Sequence, residues 1–219
     1  MSRCPIVFDL DGTLIDSVPD IHAAVVRMLL SHGLTPLSVA EVASFVGNGI
    51  HVLIDRVAGA VGVTDRTLKA NMLDRFQSEY QRHPTERTTT YLGAIEALTD
   101  LASAGHLLGI CTNKPHAITR SILANLGLAD FFGVVIAGDS LSIRKPDPRP
   151  LIAAFDALER GRGLFVGDSE IDAQTAQAAG IRFLLFTQGY RKSAVCDIAH
   201  YRSFSALDQL PALVKYSAL

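Results

Sequence analysis

The strongest limit on how this chain can fold is an alternation of two hydrophobic periods. Short apolar runs, Ile6-Val7-Phe8, Leu107 to Cys111, Val134 to Ala137, Leu164 to Val166 and Phe183 to Phe186, are bounded by Gly, Asp or Thr. Their length suits strands buried on both faces. Between them the apolar spacing is helical: Ala94, Leu98 and Leu101; Ile118, Ile122 and Leu126, stopped by Gly127; Leu151, Ile152, Phe155 and Leu158; and Ile171, Ala176 and Ala179, stopped by Gly180. A glycine just past a helix fits a left-handed C-cap. Strand and helix in alternation predict βαβ units, an α/β fold and a parallel sheet.

One gap interrupts the alternation. About a hundred residues separate Phe8 from Leu107, far more than one βα unit needs, and they contain no clear strand pattern. They carry three helical stripes instead: Ile21, Ala24, Val25, Met28 and Leu29; Ile50, Leu53, Ile54, Val57 and Ala58; and Leu68, Met72, Phe76 and Tyr80. The spacing predicts a helical insertion over 16–87, planted after the first strand of a core formed by 1–15 and 88–219. The aromatic stripe of the third helix reads as packing.

Charge excludes some partners. The chain has 20 Lys and Arg against 22 Asp and Glu, a net charge of −2, and no basic stripe suggests nucleic acid. Any anion must be held by local charges or a metal. No run of 18 residues is free of charge and polar punctuation, so no membrane span is expected. The three cysteines, Cys4, Cys111 and Cys196, are scattered and odd in number, which favours free thiols and a cytoplasmic location.

The polar residues at the strand ends carry the chemistry. The first strand runs into Asp9-Leu10-Asp11-Gly12-Thr13 and the second into Thr112-Asn113-Lys114. The loop after the third holds Lys145-Pro146-Asp147-Pro148, and the fourth strand runs into Gly167-Asp168-Ser169, with Asp172 one helical turn on. In an open parallel sheet these ends share one edge, where ligands bind. Carboxylates gathered there repel one another unless a cation is present, and an all-oxygen donor set selects Mg²⁺ over zinc. A Mg²⁺ with open positions commonly serves a phosphate, with Lys145, a hydroxyl, an amide and two helix N-termini completing an oxyanion cradle.

These four segments resemble the four motifs of the haloacid-dehalogenase-like (HAD) hydrolases, and the helical insertion resembles that family's first-type cap domain. The resemblance covers essentially the whole chain. It implies a Rossmann-like three-layer parallel-sheet core with an inserted small all-helical cap. Val46-Gly47-Asn48-Gly49, Cys111-Thr-Asn-Lys-Pro115 and Gly189-Tyr190-Arg191 look most like bacterial phosphoglycolate phosphatases. Leu92-Gly93 stands where the family usually has Pro-Gly.

The resemblance implies a Mg²⁺-dependent phosphatase acting on a small phosphorylated metabolite, 2-phosphoglycolate first, through an aspartyl-phosphate. Asp9 would be the nucleophile and Asp11 the general acid and base, reaching the metal through its carbonyl. Asp168 would be the third metal ligand, with Asp172 and Ser169 behind it. Thr112, Asn113 and Lys145 would bind the phosphoryl group. Asn48, Gly49 and Arg56 are the cap candidates for substrate contact, Arg56 for a carboxylate. Alternatives are a β-phosphoglucomutase-like mutase and a phosphatase for sugar phosphates or pyrophosphate. The mutase's cap histidine would fall on Ile21 and its cap arginine near Gly49 or Ile50, which disfavours it. Asp11 disfavours dehalogenase chemistry. A non-catalytic phosphate sensor would have a broken motif, and none is broken. A monomer or homodimer is expected.

Overall fold

A computed structural model describes residues 4–159 and 161–217. Six strands, β1 (Ile6–Phe8), β4 (Leu108–Cys111), β5 (Phe132–Ile136), β6 (Leu164–Gly167), β7 (Arg182–Phe186) and β8 (Arg202–Phe204), form one parallel sheet. The spatial order is β5-β4-β1-β6-β7-β8. The chain therefore fills one side of β1 and then the other, and the crevice of this switch point opens beyond the C-terminal ends of β4, β1 and β6.

Alternate side chains of the strands feed two cores, as the pleat requires. Ile6, Phe8, Ile110 and Val166 face one layer, with Leu98 of α5 (Ala94–Ser103) and Ile122 of α6 (His116–Asn125). Val7, Cys111, Phe165 and Leu185 face the other, with Phe155 of α7 (Arg149–Ala157) and Ala176 of α8 (Glu170–Ala179). Gly180 ends α8 at φ +65°, the left-handed cap its sequence position predicts. A last helix, α9 (Leu210–Ser217), joins the first layer.

The long gap holds four helices: α1 (Val18–Ser31), α2 (Val39–Phe45), α3 (Ile50–Ala60) and α4 (Arg66–Arg82). Three follow the expected stripes. The fourth, α2, buries only Val42 and so offers no stripe to read. Two short strands missing from the sequence expectation, β2 (Ile15–Asp16) and β3 (Thr89–Thr90), pair antiparallel at the mouth of the gap. Strand β8 was not expected either, since only Phe204 of its three residues is buried.

Asp20 staples this mouth. It lies in the first turn of α1, where the helix dipole favours a carboxylate, and it is fully buried. It accepts hydrogen bonds from Arg87 N (3.0 Å), Thr88 N (2.7 Å) and Thr88 Oγ1 (2.7 Å). Orphaning a buried donor costs about 1–3 kcal/mol. Asp20→Ala is therefore expected to lower unfolding free energy in urea by about 3 kcal/mol, and Asp20→Asn, which keeps one acceptor oxygen, by less.

Candidate active site

Asp9 leaves the end of β1, Thr112 and Asn113 the end of β4, and Asp168 the end of β6, so the three central strands deliver them to one edge. Oxygens of Asp9, Asp168 and Asp172 lie within 4.8 Å of one another, and all three residues are buried. Lys145, 5% exposed, sits among them. Its Nζ is 2.6 Å from Asp172 Oδ1 and 2.9 Å from Asp9 Oδ1. Asp9 Oδ1 nevertheless has no partner in hydrogen-bond geometry among the described residues.

The local sequence explains how such crowding is held. Ser169 caps α8 in a reciprocal box with Asp172: Ser169 N and Oγ donate to Asp172 Oδ2 at 3.1 and 2.6 Å. One carboxylate thus closes a helix end with one oxygen and holds Lys145 with the other. Asp168 accepts from Thr13 Oγ1 (2.8 Å) and from Tyr190 N (2.6 Å). Gly12, at φ +85°, lets the chain pass here, and a Cβ on it would meet the Asp168 carboxylate and the Tyr190 ring.

Burial dominates the charge states. It pushes Asp9 up to about 7 against the pull of Lys145, with Asp172 adding repulsion. Burial, then Asp172 and Asp9, push Asp168 well above the usual carboxylate range. Burial alone would lower Lys145, but Asp172 and Asp9 more than offset it, so the ammonium stays charged. A buried, oxygen-only cluster of three carboxylates sharing one ammonium suits a hard divalent cation. The side chain of Asp11 lies outside this three-carboxylate group.

Asp11 belongs to a second ion pair. Lys114 Nζ lies 2.9 and 3.1 Å from its two carboxylate oxygens and 2.5 Å from the Tyr80 hydroxyl of α4. Ser17 Oγ adds a bond of 2.6 Å to Asp11 Oδ1. Burial would lower Lys114, yet Asp11 and Tyr80 hold it above its ordinary value. Tyr80 is therefore more than packing, which corrects the reading of its stripe. Lys114 stands at the same strand end as Thr112 and Asn113, and that position was the available signal for it.

The substrate candidates separate. A cavity of about 40 Å³, room for only a few waters, lies beside Asp9, Asp11, Thr112, Asn113 and Lys114, with Ile21, Val46, Ile50, Leu53 and Phe76 across from them. Gly49, N-cap of α3 at φ +85°, lines it, whereas Asn48 and Arg56 are not among its lining residues. Arg56 Nη1 donates instead to the Phe45 carbonyl at 2.9 Å. The Asn113 side chain is a cross-link rather than a free donor: Nδ2 donates to Lys145 O (3.0 Å) and Gly47 O (3.1 Å), and Oδ1 accepts from Lys145 N (3.0 Å).

Tyr190 ties the site to the mouth of the insertion. Its hydroxyl accepts from Ser17 N at 2.8 Å and donates to Asp16 Oδ1 at 2.7 Å. Tyr190→Phe is expected to cost about 1–3 kcal/mol. A double-mutant cycle with Asp16→Asn, read by urea denaturation, should give a coupling above roughly 0.5 kcal/mol.

Residues 6–186 match the family model described as haloacid dehalogenase-like hydrolase. The chain is 52% identical over 212 residues to a Cereibacter sphaeroides protein named phosphoglycolate phosphatase, covering 96% of this chain and 97% of that one. It is 39% identical over 215 residues to a Rhodobacter capsulatus protein of the same name, covering 96% of each. A solved structure titled as a predicted phosphoglycolate phosphatase from Haemophilus somnus superposes with a TM-score of 0.91 at 27% identity, over 95% of this chain and 96% of that one.

Proposed function

This chain belongs to the haloacid dehalogenase-like hydrolase family, and on that premise we propose that it is a Mg²⁺-dependent phosphatase of small phosphate monoesters, 2-phosphoglycolate first among them. The observation that carries the reading is the buried group of Asp9, Asp168 and Asp172 around Lys145, opening toward Thr112 and a small cavity. The whole-length likeness to proteins named phosphoglycolate phosphatase supports the substrate. The apolar wall opposite the site offers few partners for sugar hydroxyls, which weighs against sugar phosphates and against the mutase.

In this reading Asp9 attacks phosphorus and the ester bond breaks, leaving an aspartyl-phosphate that water then hydrolyses. Asp11 enters this step protonated, gives its proton to the departing alkoxide, and as the resulting carboxylate, paired with Lys114, takes a proton from the water. Thr112, the Asn113 backbone N–H and Lys145 hold the phosphoryl oxygens, while Asp172 positions Lys145. Asp9, Asp168 and the Asp11 carbonyl would hold Mg²⁺, which supplies charge neutralisation for carboxylates and phosphate alike. The helices over 16–87 act as a cap that covers the cavity and excludes water. We place the enzyme in the cytoplasm, as a monomer or homodimer that binds no nucleic acid; no described helix is long and apolar enough to cross a membrane.

Phosphate release from 2-phosphoglycolate with Mg²⁺ tests this directly. Asp9→Asn should abolish it, and wild type should prefer 2-phosphoglycolate over β-glucose-1-phosphate and pyrophosphate at least tenfold in kcat/KM, about 1.4 kcal/mol. A flat substrate profile would sink the named substrate, and no release from any ester would sink the phosphatase.

Protons and metal compete for the same carboxylates. Because the folded pKa of Asp9 is raised to about 7, the metal-free protein loses stability as pH rises from the unfolded value of about 4 through 7. Mg²⁺ binding requires the ionised form and strengthens over the same window. The Mg²⁺-induced rise in Tm should therefore be larger at pH 8 than at pH 5.5, and Asp168→Asn should remove most of it.

A further inference from the structure

Lys114 has a task that phosphoryl transfer alone does not assign. The phosphoryl group already has its cation in Lys145, which sits among the acids and pairs with Asp9 and Asp172. Lys114 has different partners, Asp11 and the Tyr80 hydroxyl, and lines the cavity under the apolar wall. It is the one ammonium or guanidinium among the residues lining that cavity. Arg56, the sequence-based candidate for a carboxylate, does not line this cavity and gives one N–H to the Phe45 carbonyl.

Distance makes the match. Asp11 is the proposed proton donor to the ester oxygen, so that oxygen must come within hydrogen-bond reach of it. Lys114 Nζ is 2.9 and 3.1 Å from the Asp11 carboxylate. A carboxylate one carbon beyond the ester oxygen spans about one hydrogen-bond length, and so falls within reach of the same ammonium. Resting on the phosphatase reading, we propose that Lys114 receives the carboxylate of the leaving group and thereby selects phosphate esters of small α-hydroxy acids. Asp11 keeps its Ser17 hydroxyl contact (2.6 Å) when the substrate takes a share of Lys114. Tyr80 holds the ammonium at that point from the insertion, so the cation is aimed only while α4 covers the cavity.

The test compares 2-phosphoglycolate with 2-hydroxyethyl phosphate, which is nearly the same size and lacks the carboxylate. Wild type should favour the first in kcat/KM. Lys114→Met should slow both, because Asp11 loses its partner, but should lower the ratio of the two by roughly 10- to 100-fold, the effect of one buried charged contact. Lys114→Gln, which keeps polar contacts to Asp11 and Tyr80, should lower the ratio similarly and serves if the Met variant does not fold. Glycolate titrated into the Asp9→Asn protein should raise Tm, and should do so less when Lys114→Gln is added. Equal losses on both esters would reduce Lys114 to a positioning residue for Asp11 and overturn the proposal while leaving the phosphatase intact. A wild type indifferent to the carboxylate would overturn both the proposal and the named substrate. A wild type inert on every ester would overturn the phosphatase reading, and glycolate failing to shift Tm would then overturn the carboxylate site as well.

Discussion

Three carboxylates crowd within 4.8 Å at the sheet edge around a single buried ammonium, and much of the surrounding structure answers the repulsion this creates. Each oxygen of Asp168 receives a donor from a different segment, Thr13 and Tyr190. Asp172 is held by the helix it caps. Among the described residues Asp9 Oδ1 has only the Lys145 ammonium beside it, at 2.9 Å and outside hydrogen-bond geometry. Burying like charges is costly unless they are compensated, and Lys145 offsets only part of the repulsion among three carboxylates, which is why the cluster suits a further cation.

The second ion pair extends the same logic across the crevice. Lys114 joins a strand-end carboxylate to a tyrosine on the inserted helices, and Asn113 joins the Lys145 backbone to Gly47 of the loop between α2 and α3. Both bridges start from adjacent residues after β4. The edge that gathers the acids therefore also positions the helices above them, and the covering wall and the charged floor are aligned by the same few bonds.

Much of this was legible in the sequence. Runs such as Leu164 to Val166 declare themselves because both faces are buried, and Asp9, Thr112 and Asp168 declare themselves by standing at the ends of such runs, with Lys145 in the loop that follows another. The unreadable parts have physical reasons. Strand β8 has one buried side chain and β2 and β3 are two residues long, too short for any period. Tyr80 looks like its stripe neighbours Met72 and Phe76, and only its hydroxyl distinguishes it. Tyr190 and Ser17 are 173 residues apart when they meet, and no local spacing encodes that. Arg56 has the right charge for a carboxylate, but the fold gives it a backbone carbonyl 11 residues away.

The β2–β3 ribbon pairs Ile15 with Thr90 and Asp16 with Thr89. The four helices therefore leave and rejoin the sheet at a single doorway, and topologically they are one hairpin loop grown large. Such a loop can be exchanged as a block without rethreading a single strand. A graft of this kind would bring a new wall to the cavity and leave the acids, Lys145 and Lys114 in the recipient. It would also remove Tyr80. The cation would be inherited with the core while its aim travelled with the loop, so modular exchange in this architecture could change what is recognised while leaving the chemistry where it was.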